Sequence, residues 1–426
     1  MKKNNLLYDT NEKPPVSKWL ILSLQHVFAM FGATILVPIM VNQAAGVEVI
    51  TIPTALVTSG IGTLLYILCT KGKSPVYLGS SFAFITPIVA SFSKDGVSGF
   101  TTGIISVGLI YILFSFLIHL FGKDWINKLL PPIVVGPMIM IIGLSLAPNA
   151  VSQIGLTEDG ITFANLIVAV VSFLVTAIVA IYAKGFFKVI PFLIGIITGY
   201  LLSICFGLVD FEPVTTSSFF SFPSLLIPFK DYAFSFSGFM TMAPIALVSI
   251  AEHIGDHMAL SSIIGKDLIK DPGLDKTLLG DGIATTFAGL VGGPANTTYG
   301  ENTSVVGMSK VASVWVIGLA AIISIIMCFL GIVTSLFSTI PSPVLGGVSL
   351  LLYGFISVNG LKVLIENRID FNDIKNVVIA SSMLILGLGG AVITFSNGDL
   401  SFSLTGMSLA AIVGIILNLV FSEKGR

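Results

Sequence analysis

The stretch PANTTYGENTS, residues 294–304, sets polar side chains and the carboxylate of Glu301 where the flanking sequence is apolar enough to cross a membrane. A second stretch, SPVYLGSSFAFITP at residues 74–87, has β-forming residues, glycine and serines at a comparable position. Neither makes a good apolar helix. Non-helical backbone at membrane depth must be buried in protein or line a cavity, because lipid offers its N–H and C=O groups no partners. The two interrupted segments therefore predict a binding site near the middle of a membrane.

The rest of the chain has the composition of a polytopic membrane protein. Of its 426 residues, 54% are hydrophobic and 10% are charged, whereas a soluble domain carries roughly a quarter charged residues. The lipid bilayer is thus an expected partner. The net charge of −1 means that the chain has no excess of basic residues, so no nucleic acid is expected to bind. The three cysteines lie in apolar runs and predict neither a disulfide nor a metal site.

Apolar windows of about 20 residues predict fourteen crossings. With the N-terminus in the cytoplasm, only Lys94 and Lys230 of the 21 basic residues fall in outside loops. This is the bias that the positive-inside rule predicts, and it puts both termini in the cytoplasm. The windows are 18–41, 49–70, 74–92, 98–122, 129–147, 161–183, 189–209, 233–262, 278–293, 294–312, 313–337, 338–358, 373–395 and 405–422.

The two halves of the sequence repeat each other. Pro132 and Gly136 in the fifth window recur as Pro343 and Gly347 in the twelfth, at an offset of 211. An odd number of spans in each half forces the second half to insert upside down. The predicted fold is therefore an all-α polytopic membrane protein with fourteen spans in two inverted seven-span repeats. Short strands are expected to interrupt spans 3 and 10.

Four carboxylates fall inside the predicted spans. A charged side chain in the bilayer costs several kcal/mol, so acids at such positions are normally functional. On a helix, residues four apart share one face. Glu252 and Asp256 share such a face, and His253 and His257 share a neighbouring one. The histidine pair lacks an HExxH pattern and a third ligand, so no metal site is predicted. The four acids are Glu252, Asp256, Asp281 and Glu301.

Several of these residues are candidates for carrying a proton. Two carboxylates one helical turn apart disfavour ionisation of both, so Asp256 is predicted to carry or gate the proton. His257 titrates in the right range but points away, and it is therefore secondary. His26, in the first span, is either a relay residue or a structural one. Asp281 completes the candidates, and His253 is predicted to pack or hydrogen-bond rather than to touch a ligand.

Four motifs resemble the nucleobase–ascorbate transporter family, and within it the bacterial uracil permeases. The resemblance runs from about residue 18 to residue 420. It implies uracil–proton symport with no cofactor besides the transported proton, no enzyme activity and a homodimer. The motifs are SLQHVFAMFGAT at 23–34, YLGSSFAF at 77–84, AEHIG at 251–255 and NTTYGEN at 296–302.

The resemblance also assigns substrate-binding residues. It implies that Glu252 and Glu301 hydrogen-bond the base, that Phe82 stacks on it, and that backbone groups near Phe82, Tyr299 and Gly300 complete the site. The chemistry is consistent with this, since the edge of uracil alternates N–H and C=O groups. Carboxylates accept from the former and backbone N–H groups donate to the latter.

A division into domains is implied as well. Spans 1–4 and 8–11 would form a core domain, and spans 5–7 and 12–14 a gate domain. The corresponding ranges are 1–17 for a cytoplasmic tail, 18–122 and 233–337 for the core domain, and 123–209 and 338–422 for the gate domain.

Some residues depart from the pattern of uracil permeases. Asp256 stands where the best-known of them carry histidine, and Asp256 and Asp281 match acids of purine-transporting members. Ser304 and Ser309 replace the usual glycine and threonine. A xanthine or other purine permease is therefore the main alternative. An intramembrane enzyme using the Glu/His cluster and an anion channel or exchanger are alternatives from other classes, but the first lacks a nucleophile and the second would favour a basic site.

Overall fold

The computed structural model describes residues 6–157, 161–397 and 400–422, and these are mostly helical. Residues 1–5 of the predicted tail and the last four residues of the chain lie outside the described residues. The helices are α1 Val16–Ala45, α2 Ile52–Cys69, α3 Ile85–Phe121, α4 Asp124–Leu129, α5 Pro132–Ser145, α6 Ala147–Ile154, α7 Phe163–Tyr182, α8 Pro191–Cys205, α9 Glu212–Thr215, α10 Phe236–Met242, α11 Ile245–Ile264, α12 Leu274–Leu290, α13 Gly300–Ser309, α14 Val314–Met327, α15 Gly331–Ser338, α16 Ser342–Glu366, α17 Ile374–Leu388 and α18 Gly406–Ser422. The strands are β1 Leu78–Ser80, β2 Asn296–Thr298, β3 Val392–Asn397 and β4 Leu400–Thr405.

Many of these helices are long and apolar enough to cross a bilayer. Seven described segments meet that criterion by length and composition, and four shorter apolar helices add to them. Helices of this kind make the chain a multi-pass membrane protein. The long segments are Val16–Ala45, Ile52–Cys69, Phe82–Phe121, Pro132–Ile154, Phe163–Tyr182, Phe236–Ile264 and Ser342–Glu366, and the shorter ones are Pro191–Cys205, Val314–Met327, Ile374–Leu388 and Gly406–Phe421.

Strands lie in both polar stretches. β1 and β2 pair antiparallel, with Leu78 opposite Thr298 and Ser80 opposite Asn296, and both strands are buried. Gly79 is required at the crossing, because a Cβ there would lie 2.3 Å from the ring of Tyr299. Each strand thus satisfies part of its backbone on the other, as non-helical backbone inside a membrane protein must.

Glycines also permit close helix contacts between the two halves of the chain. A Cβ on Gly143 of α5 would lie 2.3 Å from the carbonyl oxygen of Tyr353 in α16. A Cβ on Gly108 of α3 would lie 2.7 Å from the carbonyl oxygen of Gly282 in α12. Small residues let apolar helices approach at backbone distance, where van der Waals packing and not the hydrophobic effect holds helices together in lipid.

The predicted window 373–395 was wrong at its end. α17 stops at Leu388, with Gly390 in the left-handed region at φ +69°. β3 follows and pairs antiparallel with β4. The run Val392, Ile393, Thr394 is β-branched and favours a strand over another helical turn. This hairpin joins α17 to α18 and was not predicted.

Candidate binding site

The strand pair brings two chain segments to one place in the protein. After β1 the chain makes a 3₁₀ turn at Phe82–Phe84 and then continues as α3. After β2, α13 begins at Gly300, so Glu301 lies in its first turn. The first turn of a helix has backbone N–H groups without intrahelical partners, and these can donate hydrogen bonds to a ligand.

Helix α11 brings two more carboxylates to this segment. Glu252 and Asp256 lie one turn apart on α11, which packs against β2, α13 and the 3₁₀ turn. A Cβ on Gly300 would lie 3.1 Å from Oδ1 of Asp256, so the carboxylate sits directly against the start of α13. Among the described residues, Oδ2 of Asp256 has no hydrogen-bond partner.

Glu252, Asp256 and Glu301 are close enough for their charges to act on one another. All three are half-buried. Carboxylates supply only acceptors when ionised, and the first turn of α13 supplies donors. The arrangement is thus suited to a small polar ligand that presents donors and acceptors side by side.

Phe82, in the 3₁₀ turn that packs against α11, supplies an apolar wall to this segment. Phe82 is 6% exposed, and its ring contacts Tyr353 of α16 edge-to-face with 6.1 Å between the ring centroids. Tyr299 closes the crossing from the other strand, since its hydroxyl donates to the carbonyl of Ser80 at 3.0 Å. The two strands therefore hold the aromatic wall and the acidic turn in a defined relation.

A fully buried histidine–aspartate pair lies behind β2. Nδ1 of His253 is 2.8 Å from Oδ2 of Asp281, and neither side chain is exposed. The backbone N–H of Thr298 donates to the same carboxylate oxygen at 3.0 Å. Nε2 of His253 lies 3.0 Å from the hydroxyl of Thr277. We refer to His253 and Asp281 as the dyad.

His257 points away from the three half-buried carboxylates, as predicted from its helical position. Its Nε2 lies 2.7 Å from the hydroxyl of Tyr66, which is 2.9 Å from Oγ of Ser74. Its Nδ1 lies 2.8 Å from the backbone carbonyl oxygen of His253. The rings of His253 and His257 stack with 4.0 Å between centroids.

His26 lies in α1 and is buried. Within the described part of the chain, neither of its ring nitrogens has a hydrogen-bond partner. Asn302 of α13 lies next to the ring without meeting hydrogen-bond geometry. The Asn302 amide instead donates to the carbonyl of Pro75 at 3.0 Å, which ties α13 to the residues before β1.

Comparison with known proteins decides the family. The profile of the family described as "Permease family" matches residues 17–395. The chain belongs to this family. It is 46% identical to the uracil permease of Bacillus caldolyticus over 99% of this chain and 96% of that protein. The uracil permease of Bacillus subtilis (strain 168) is 46% identical over 99% and 97% of the two chains. That of Escherichia coli (strain K12) is 41% identical over 96% and 93%.

Solved structures show the fold that the permease shares with other transporters. The transmembrane domain of the cyanobacterial bicarbonate transporter BicA aligns with a TM-score of 0.59 at 16% identity, over 96% of this chain and 99% of that one. The murine anion transporter Slc26a9 in the inward-facing state aligns with a TM-score of 0.69 at 14% identity, over 97% and 69%. As a member of a permease family, the chain is a transport protein and not an enzyme.

The structure brings four of the nine site residues that the sequence singled out to one place. Glu252, Asp256 and Glu301 border one site, with Gly300 at the start of α13. The remaining candidates lie around it. The sequence analysis did not identify three hydroxyl residues that hydrogen-bond to the buried histidines and Asp281, namely Thr298, Thr277 and Tyr66. Hydroxyl residues are common in membrane spans, and only their tertiary contacts distinguish these three from the others. The one available signal was the polar composition around Thr298.

Proposed function

We propose that this permease imports uracil together with a proton across the bacterial cell membrane by alternating access. The observation that carries the proposal is the position of Glu252, Asp256 and Glu301 around the start of α13. Curated relatives with 41–46% identity over nearly their whole length are uracil permeases.

The proposed binding mode uses both halves of the site. Glu252 and Glu301 accept hydrogen bonds from the ring N–H groups of the base. Backbone N–H groups near Tyr299 and Gly300 donate to its carbonyls, which an edge of alternating donors and acceptors requires. Phe82 faces the flat ring and favours a planar heterocycle over a flexible solute of equal polarity.

The proposed architecture has fourteen crossings in two inverted seven-span repeats, with both termini in the cytoplasm. A core domain, residues 18–122 and 233–337, carries the site, and a gate domain, residues 123–209 and 338–422, moves relative to it. The edge-to-face contact of Phe82 with Tyr353 lies between these two parts. The working unit is proposed to be a homodimer.

The proposed driving force is the proton gradient, with no other cofactor. Asp256, Asp281, His257 and His26 are the candidate proton carriers, being titratable groups beside or behind the carboxylate cluster. Uracil is neutral near pH 7, so one co-transported proton moves one charge. That is worth about 2.3 kcal/mol per 100 mV, or roughly fifty-fold accumulation.

Uptake of labelled uracil into proteoliposomes tests the proposal. With an inward proton gradient we expect saturable accumulation that a protonophore abolishes. Unlabelled uracil should compete, and unlabelled xanthine should not. Uptake of labelled xanthine in place of labelled uracil would favour a purine permease, for which Asp256 and Asp281 are the sequence features. Accumulation that is indifferent to the protonophore would contradict proton symport.

A further inference from the structure

The transported proton needs a site inside the protein, and the His253–Asp281 dyad is the buried group best built to receive it. We propose that the dyad holds the transported proton and that Thr298 transmits the charge state of the dyad to the substrate-binding segment. This inference rests on the symport proposed above. The sequence alone favoured Asp256 for this role. Three features of the contacts favour the dyad instead.

The first feature is the charge balance of the dyad. The Asp281 carboxylate accepts from the Thr298 N–H at 3.0 Å, from the Thr298 hydroxyl at 3.1 Å and from Nδ1 of His253 at 2.8 Å. With a neutral imidazole, this fully hydrogen-bonded pair carries one negative charge. Adding one proton at Nε2 makes it neutral overall, as an ion pair of imidazolium and carboxylate. Because a net charge in a fully buried site is costly, the site favours taking up one proton and no more.

The second feature is a hydroxyl that serves both protonation states. When His253 is neutral with Nδ1 protonated, the Thr277 hydroxyl donates to Nε2 across 3.0 Å. When Nε2 gains a proton, it donates to the Thr277 oxygen, and the hydroxyl turns to the carbonyl of Leu274 at 3.2 Å. Rotation of one hydroxyl therefore leaves no buried donor or acceptor unpaired in either state.

The third feature is the weaker position of the alternatives. Asp256 has an oxygen with no partner among the described residues and lies against Gly300, where the substrate is proposed to bind. His257 has no carboxylate on its ring nitrogens, and its ring stacks on His253 at 4.0 Å, so the two imidazoles disfavour being charged together. The titratable groups that face the dyad from neighbouring elements are Tyr66 of α2, Tyr111 of α3, and Glu252, Asp256 and His257 of α11.

Thr298 connects the dyad to the substrate site. It is the last residue of β2 and precedes Tyr299, Gly300 and Glu301 directly. Its N–H and hydroxyl both donate to Asp281, so a change in the charge of the dyad acts on the backbone that leads into α13. Proton uptake also removes one negative charge from behind three carboxylates. Both effects make uracil binding depend on the proton.

The sharpest test alters the rotating hydroxyl while keeping both ionisable groups. Thr277→Val keeps the shape but removes the partner of Nε2 in both states. The hydrogen bond lost by the charged imidazolium is stronger than the one lost by the neutral ring, so the substitution lowers the proton affinity of the dyad. Uracil binding should then need a higher proton concentration. The pH of half-maximal binding, measured by calorimetry on purified protein, should fall by up to about one unit. Thr277→Ser should restore the wild-type profile.

A matched control separates this effect from the loss of any buried hydroxyl. Thr176 of α7 is equally buried, and its hydroxyl donates only to the carbonyl of Ser172 at 2.7 Å. Thr176→Val should keep the wild-type pH profile. A profile for Thr277→Val that coincides with that of Thr176→Val would overturn the proposal.

Proton movement tests the dyad directly. In weakly buffered proteoliposomes, uracil entry through the wild-type protein should make the outside more alkaline. Asp281→Asn should bind uracil with little dependence on pH and move no protons. If the wild type itself moves uracil without protons, the proposed symport fails. If the wild type moves protons and Asp281→Asn still does, while Asp256→Asn does not, the symport stands and the dyad proposal fails. Should Asp281→Asn not fold, the binding profile of Thr277→Val decides.

Discussion

The two paired strands differ in what holds them. In β1, the N–H of Leu78 donates to the hydroxyl of Thr63 at 2.9 Å, and its carbonyl accepts from the hydroxyl of Ser59 at 2.6 Å. In β2, the N–H of Thr298 donates to the carboxylate of Asp281. One strand is thus anchored by groups that do not titrate, and its partner by a group that does.

The segments after the two strands show the same contrast. After β1 come Phe82 and an apolar helical start, whereas after β2 come Gly300, Glu301 and a polar one. The β1 side therefore provides a fixed apolar wall, and the β2 side provides charge that responds to protons. Substitutions on the β2 side should alter binding and coupling, and those on the β1 side should alter affinity or stability alone.

Glu301→Ala should have the largest effect. The substitution removes the carboxylate in the first turn of α13, and with it an acceptor that a desolvated N–H of the base needs. We expect saturable uracil uptake to be abolished while the protein stays folded in membranes. Uptake assays beside Glu366→Ala, an exposed glutamate at the end of α16, measure this. Normal uptake by Glu301→Ala would remove this residue from the site.

Glu252→Gln should weaken binding without abolishing it. The amide keeps the volume, but it replaces a charged acceptor with a neutral group that is half donor. We expect uracil affinity to fall at least tenfold, about 1.4 kcal/mol, as for a lost charge-assisted hydrogen bond. Calorimetric titration of the purified protein measures this. Wild-type affinity in this variant would mean that Glu252 does not touch the base.

Phe82→Leu tests the wall on the β1 side. Loss of the aromatic face should lower affinity severalfold, in line with about 0.5–1.5 kcal/mol for an aromatic contact. The pH profile of binding should stay that of the wild type, because no hydrogen bond among the described residues joins Phe82 to the dyad. Phe371→Leu, which changes an exposed phenylalanine outside the site, is the control. A shifted pH profile would show that the two sides are not independent.

Thr63→Val should have the smallest effect on transport. It leaves the N–H of Leu78 without its hydroxyl partner, which costs about 1–3 kcal/mol of stability. The thermal midpoint in detergent should fall, whereas the pH dependence of uracil binding in the surviving protein should not change. If coupling were lost in this variant, the β1 anchor would be part of the proton mechanism and the contrast would fail.

Much of this contrast was readable from the sequence. The two polar stretches predicted both strand positions, because runs of polar and β-forming residues are unfavourable in an apolar membrane-spanning helix. The spacing of Glu252 and Asp256 predicted a shared face of α11. The spacing of His257 likewise predicted that it would point elsewhere, and it contacts Tyr66.

Other features were beyond sequence reasoning. The extent of window 373–395 was overpredicted because hydropathy alone does not separate an apolar strand from a helical turn. His253 was correctly expected to hydrogen-bond, but its partner was not identified. Asp281 is 28 residues away on another helix, and no periodicity relates two helices that meet only after folding.

By itself, the sequence determined that this chain is a membrane protein. It also determined which segments have irregular backbone and which acidic residues are expected to be functional rather than incidental. These follow from local physics, since hydropathy, turn chemistry and the cost of a buried charge act on each segment separately. Only the tertiary structure decided which acid faces the N-terminus of α13 and which one pairs with a histidine. A carboxylate's role depends on the donors around it, and those of Asp281 come from α11 and β2.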